Sequence, residues 1–238
     1  APIDLISALL KLPLRINARD SETLTALHYA TNMETVALLL NNAADANANS
    51  VHGTPIDRIK SVDAVLGLIL LAKLSNSLEE VAHKHTGDIA TLLTLIVCCF
   101  DLQAPEKWDT VVEYVKTTGS FFFSTACQVT AFHVASRAGN VSLLKKLISL
   151  PQAQQFVDLP DCLGNTSLHY TCKWAHEEAA LLVLQTNPSA KKPLLPNADK
   201  RTSLDYALDC DMPSLVVEMV NSGLSLREIL NRGFRFSS

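Results

Sequence analysis

The chain has 238 residues, 48% of them hydrophobic and 18% charged, which is enough apolar surface to bury a core and too much for a disordered segment. Its 8 glycines and 6% aromatic content argue against a turn-rich all-β fold, and abundant Leu, Ala and Val favour helix. The formal charge of −4 divides as 9 Lys+Arg against 14 Asp+Glu over residues 1–119 and 11 against 10 over residues 120–238, so neither half carries the basic footprint that a phosphate backbone requires.

In chain order, Ile3 to Lys11 reads as a helix and Leu14 to Asp20 as the link after it. Thr25-Ala-Leu-His-Tyr-Ala30 opens a short helix, and Val36 to Leu40 supplies the apolar stripe of a second. Ala43 to Asn47 is a polar link, after which Thr54-Pro-Ile-Asp57 restarts the pattern with Pro55 at a first helical position. Four more helices are predicted over Val62 to Leu74, Leu78 to His85, Gly87 to Leu102 and Ala104 to Thr117. Their longest apolar stretches, Val65 to Ala72 and Ile89 to Phe100, fall short of the roughly 20 residues that cross a bilayer, so membrane insertion is not expected. Further helices open at Thr130, Thr166 and Thr202, each followed by a second stripe: Val141 to Leu147, Ala179 to Leu184, Leu215 to Val220. Phe156 to Asp158 and Pro196 to Asp199 are polar links, Ser225 to Leu230 a closing helix, and Gly233 to Ser238 a tail.

Self-similarity organises these elements. Thr25-Ala-Leu-His-Tyr-Ala30, Thr130-Ala-Phe-His-Val-Ala135, Thr166-Ser-Leu-His-Tyr-Thr171 and Thr202-Ser-Leu-Asp-Tyr-Ala207 align, and the last three start 36 residues apart. Each Thr can cap the helix after it, so each unit is a helix pair. The segments match the T-P-L-H-x-A signature of a roughly 33-residue repeat, and the chain resembles the ankyrin-repeat family. That resemblance implies an all-α ankyrin-repeat solenoid of stacked helix-turn-helix units with short β-hairpin or loop links. It implies one domain over 1–238: a partial repeat (1–24), repeats with the T-x-L-H motif (25–59), irregular helical units (60–124), three regular repeats (125–223), and a cap with tail (224–238). A small helical insertion in the irregular segment is the alternative. Ala43 stands where the family usually has Gly, and a left-handed turn there costs roughly 1 kcal/mol, so a reshaped first hairpin is expected. The first repeat is also about four residues short between Ala30 and Val36.

Histidines and cysteines are the candidate chemical groups. His28, His133 and His169 share one motif position; the resemblance makes them bridges to the neighbouring turn, and a catalytic residue has no reason to recur with a repeat. His83 and His85 precede Cys98 and Cys99, but adjacent helical side chains point about 100° apart and do not readily face one metal. Cys172 and His176 share a helix face, explained first by packing. No G-x-S-x-G, Gly-rich phosphate loop or H-E-x-x-H is present. The expectation is a non-enzyme without cofactor or metal. Six cysteines without C-x-x-C pairs suit a reducing compartment, cytoplasm or nucleus, or the host cytosol if the chain is a bacterial effector.

The function expected is protein recognition, as an adaptor or scaffold gripping a partner protein with a concave face and hairpin tips. Tip candidates are Arg19, Asp20, Glu22, Asn49, His52, Gln128, Asp161, Leu163, Lys200 and Arg201. The exposed position after the motif holds Asn32, Arg137, Lys173 with Trp174, and Asp209, and Trp is the residue most enriched at binding hot spots. Phe121 to Phe123 is either buried packing or a contact patch. Asn47 resembles the hairpin asparagine modified by asparaginyl hydroxylases, and Ile3, Leu5, Leu9 and Leu10 would form a self-association face. The alternatives are an enzyme or metal site in 60–124, and a spacer within a larger protein.

Overall fold

The computed structural model describes residues 3–72, 78–186 and 192–233. The end of the helix expected over Val62 to Leu74, and the tail after Gly233, lie outside them. The local structure is set by threonine. Thr25, Thr54, Thr130, Thr166 and Thr202 all hold extended backbone, with φ from −87° to −107°, and a helical turn follows each. The side chain three residues on folds back to accept the Thr N–H. The acceptor is Nδ1 of His28, His133 and His169 at 3.0, 3.0 and 3.1 Å, and Oδ2 of Asp57 and Asp205 at 2.9 and 2.7 Å. This is a capping box built with His or Asp in place of Glu.

Because Nδ1 accepts, the proton sits on Nε2, which donates to a carbonyl in the following loop. The acceptors are Gly53 O at 3.3 Å for His28, Asn165 O at 3.1 Å for His133, and Leu195 O at 3.0 Å for His169. One neutral ring thus starts its own helix and holds the next turn. Asp keeps the cap, as at Asp57, whose other oxygen pairs with Lys84 at 2.9 Å.

The chain divides into two compact units, Ala1–Val97 and Cys98–Ser238. The first begins with α1 (Ile3–Leu9), a 3₁₀ turn (Ala26–Tyr29) and α2 (Met33–Asn41). It continues with α3 (Pro55–Arg58), α4 (Val62–Leu71), α5 (Leu78–Lys84) and the start of α6 (Asp88–Phe100). The 3₁₀ turn packs on α3 and α3 on α5, while α1 and α4 both pack on α2. Gly67 lets α4 approach closely, since a Cβ there would lie 3.1 Å from the Met33 Cα. The short first repeat has room for a single 3₁₀ turn, because only Ala30 and Thr31 separate it from Asn32, the cap of α2. Ala43 does take the left-handed conformation, at φ 63°.

The second unit contains α7 (Pro105–Thr118), the antiparallel hairpin β1 (Phe122–Ser124) and β2 (Val129–Thr130), and then α8 (Ala131–Ala138) and α9 (Val141–Ile148). Next come α10 (Ser167–Lys173), α11 (Glu177–Thr186), α12 (Ser203–Asp209), α13 (Pro213–Asn221) and α14 (Leu226–Gly233). Helices α8, α10 and α12 form an inner row; α7, α9, α11 and α13 form the outer one. Leu143, Leu147, Leu168, Val183, Leu204 and Leu215 fill the space between the rows, all fully buried. Phe121 is buried, stacked on Phe132 and Phe156 at 5.3 and 4.8 Å, and Phe123 meets Tyr114 edge-on at 5.9 Å, so the Phe triplet is packing. Each described segment is built of helix-turn-helix units, and no described helix is long and apolar enough to cross a membrane.

His133→Ala strands the Thr130 N–H and the Asn165 carbonyl, both buried. At roughly 1–3 kcal/mol per orphaned group, the substitution should lower unfolding free energy by about 2–6 kcal/mol in urea titrations. Burial also pushes the His133 and His169 rings below the usual histidine range. Below about pH 6.5 the unfolded chain binds protons there that the folded chain does not, so stability is lost as pH falls and is level above that point. The urea midpoint should drop between pH 7.5 and pH 5.5; an unchanged midpoint contradicts neutral buried rings.

Candidate functional site

Three hairpin tips are set by the residue five before Thr25, Thr166 and Thr202. Asp20 Oδ1 accepts from the Glu22 and Leu24 N–H groups at 2.9 Å each, and its Oδ2 from the Tyr29 hydroxyl at 2.7 Å. Asp161 repeats this, accepting from the Leu163 and Asn165 N–H groups at 2.9 and 2.8 Å and from the Tyr170 hydroxyl at 2.6 Å. Asn197 is the third copy, accepting from the Arg201 N–H at 2.9 Å and donating to Tyr206 at 3.3 Å. Asp161 was expected as an exposed tip contact; the structure corrects this, since it is 3% exposed and all its strong acceptor directions serve the turn.

Two residues before the Thr the chain is left-handed at Thr23, Gln128, Gly164 and Lys200, with φ between 53° and 74°. Gln128 and Lys200 therefore stand exposed at the tips of the second unit. In the first unit the tips are tied to each other: the Arg19 guanidinium donates to the Asn49 carbonyl and, at 3.3 Å, to that of Thr23. His52 Nε2 lies 3.4 Å from Glu22 Oε2.

The inner row tells more. Seven residues after the Thr stand Asn32, Arg137, Lys173 and Asp209. Asn32 is not a free contact residue as expected: its Oδ1 accepts the Thr35 N–H at 2.8 Å and caps α2. Arg137 is largely buried, with 8% of it exposed. Its guanidinium carbon lies 3.3 Å from the Trp174 ring centroid and 5.4 Å from that of Phe100. Trp174 sits at the C-cap of α10, half-buried, and the repeat carries it over the Arg of the preceding unit. One step on, Lys173 Nζ is 5.9 Å from the Tyr206 ring and the Arg201 guanidinium 4.6 Å from it, while Arg201 pairs with exposed Asp209. The result is a row of alternating cations and aromatic rings on α8, α10 and α12.

Burial without a counter-charge pushes the Arg137 guanidinium down to about 10, and burial likewise lowers the Lys173 ammonium, opposed by Asp199. Among the described residues no carboxylate lies within ion-pair distance of either cation. Arg137 Nε and Trp174 Nε1 are buried and have no described hydrogen-bond partner. So Arg137, Lys173, Trp174, Arg201 and Asp209 come together, with Gln128 and Lys200 at tips of the same unit; Arg19, Asn32 and His52 belong to the other unit. The sequence reading missed Phe100 and Tyr206. Phe100 ends a helix with no motif to mark it, whereas Tyr206 could have been found from its motif position, next to the capping residue in Thr25, Thr166 and Thr202 copies.

An apolar cavity of about 410 Å³ lies in the first unit between α1, the 3₁₀ turn and α2, lined by Ile6, Leu9, Leu10, Leu14, Tyr29 and Leu39. Leu5 and Leu9, of the self-association face, are 51% and 44% exposed. No group of three His, Cys, Asp or Glu residues among those described could hold a metal ion.

Left-handed backbone costs a non-glycine residue about 1–2 kcal/mol, of which glycine's extra flexibility returns part. Gln128→Gly and Lys200→Gly should each therefore raise stability by about 0.5–1 kcal/mol, read as a higher melting temperature.

Residues 24–51 match the family model for the ankyrin repeat. The chain is similar to a solved ankyrin repeat domain from Acinetobacter baumannii AYE, with 20% identity, coverage of 94% of this chain and 93% of that chain, and a TM-score of 0.39. No curated protein matches it. The matched segment contains the Thr25 cap and the His28 side of its bridge, and the units led by Thr130 and Thr166 reproduce both features: residues 24–51 form an ankyrin repeat.

Proposed function

We propose that the chain is a protein–protein interaction module, an adaptor or scaffold element that grips a partner protein with the inner helices and hairpin tips of Cys98–Ser238, and that it has no catalytic role. Ankyrin repeats generally serve to bind proteins. The observation that carries the reading is the contrast between fixed and varied positions in one scaffold. The Thr and its His or Asp cap are spent on structure in every copy, whereas the position seven residues after Thr changes from Arg137 to Lys173 to Asp209 on adjacent helices. A constant frame with a varied row of side chains is what recognition of another macromolecule uses. The six cysteines form no disulfide and four are buried, which supports a reducing compartment, cytoplasm or nucleus.

Photo-crosslinking residues placed at Gln128, Lys200 or Asp209 should give adducts of discrete mass in cells. The same probe at Val217, 60% exposed on outer helix α13, should give none. Absence of adducts at all four positions, or equal labelling from Val217, contradicts the reading.

A further inference from the structure

Arg137 is placed against the interest of folding. An arginine 8% exposed, with a buried Nε that no described group accepts from and no described carboxylate at ion-pair distance, is a charge left without its opposite. Burying a charge alone destabilises a fold, and an apolar side chain of the same length between two rings would be better tolerated. Lys173, the same position one repeat later, is half-buried and likewise unpaired among the described residues. Two neighbouring cations on one row, without a carboxylate at ion-pair distance among the described residues, define a surface short of negative charge.

We propose that this row recognises an acidic peptide segment, one carboxylate docking on Arg137 and a second, three residues along an extended strand, on Lys173. The inference rests on the interaction reading above and names the partner's chemistry. The spacing follows from geometry. Packed helices such as α8 and α10 lie about 8–10 Å apart, and three residues of extended chain span about 10 Å. Carboxylates at i and i+3 therefore meet equivalent positions of successive repeats. Arg201, already paired with Asp209, closes the row and sets its end.

A peptide fits better than a nucleic acid. Affinity for a phosphate backbone grows with the number of phosphates neutralised, and this row offers two cations without a carboxylate partner, with Asp199 and Asp209 close by. The chain as a whole carries −4.

The test uses the whole chain and fluorescence anisotropy with three labelled probes: a peptide with Glu at every third position, its Gln counterpart, and a 12-nucleotide oligothymidylate. The Glu peptide should bind at least tenfold tighter than the other two. Arg137→Met should weaken it at least tenfold with a melting temperature unchanged or raised, because Met keeps the packing between Phe100 and Trp174 and removes the buried charge. Lys173→Gln, at a half-buried position, should weaken it several-fold. The proposal is overturned if Glu and Gln peptides bind alike, if the oligonucleotide binds tighter, if neither variant changes affinity, or if Arg137→Met lowers the melting temperature, which marks a merely structural arginine. Indifference to peptide charge alongside crosslinks from Gln128 and Lys200 sinks this inference alone; missing crosslinks sink the interaction reading itself.

Discussion

The interaction on which the structure depends is the acceptance of a threonine N–H by the side chain three residues later. A helix start leaves backbone N–H groups without partners, and a solenoid repeat must begin a new helix every few dozen residues. At Thr130 and Thr166 the acceptor is a neutral imidazole, so the same ring has a second nitrogen to offer the following loop. Local helix initiation and cohesion between neighbours are thereby fused in one residue. Asp at 57 and 205 preserves the first task, which explains why both residue types occupy the position.

Much of the fold was legible because this constraint writes a motif. The Thr-led segments announce their helices, and the partial copy at Thr54 turns out to hold a complete cap with Pro55 opening α3. The irregular stretch was readable from apolar period alone: helices over 62–71, 78–84, 88–100 and 105–118 stand close to where the pattern puts them. The division of contacts between Ala1–Val97 and Cys98–Ser238 was not readable, since it falls inside a continuous helix. Left-handed turns at Gln128, Ala175 and Lys200 were hidden for another reason. Surrounding packing fixes the backbone at these points, and no glycine marks them.

The site was legible in position and not in exposure. Counting from Thr finds Arg137, Lys173 and Asp209, but burial depends on what the neighbouring repeat places above each one. Trp174 covers Arg137, and nothing in the spacing distinguishes a ring that faces solvent from one that lies on a guanidinium. Asp161 fails as a surface residue for a reason the sequence does contain. An acidic or amide residue precedes a tyrosine by nine positions three times, at Asp20 and Tyr29, Asp161 and Tyr170, Asn197 and Tyr206, and this pair knits the tip to the helix.

Arginine on a protein surface ordinarily samples many rotamers, and about 2 kcal/mol of side-chain freedom disappears when it is held still. Clamped between Phe100 and Trp174, Arg137 has already surrendered that freedom during folding. A ligand group arriving at its planar fork meets donors fixed in direction and no longer has to arrest them. For the acidic segment proposed above, selectivity at this point would reside in the shape and orientation of the visitor, and association would need no search for a productive geometry on the protein's side.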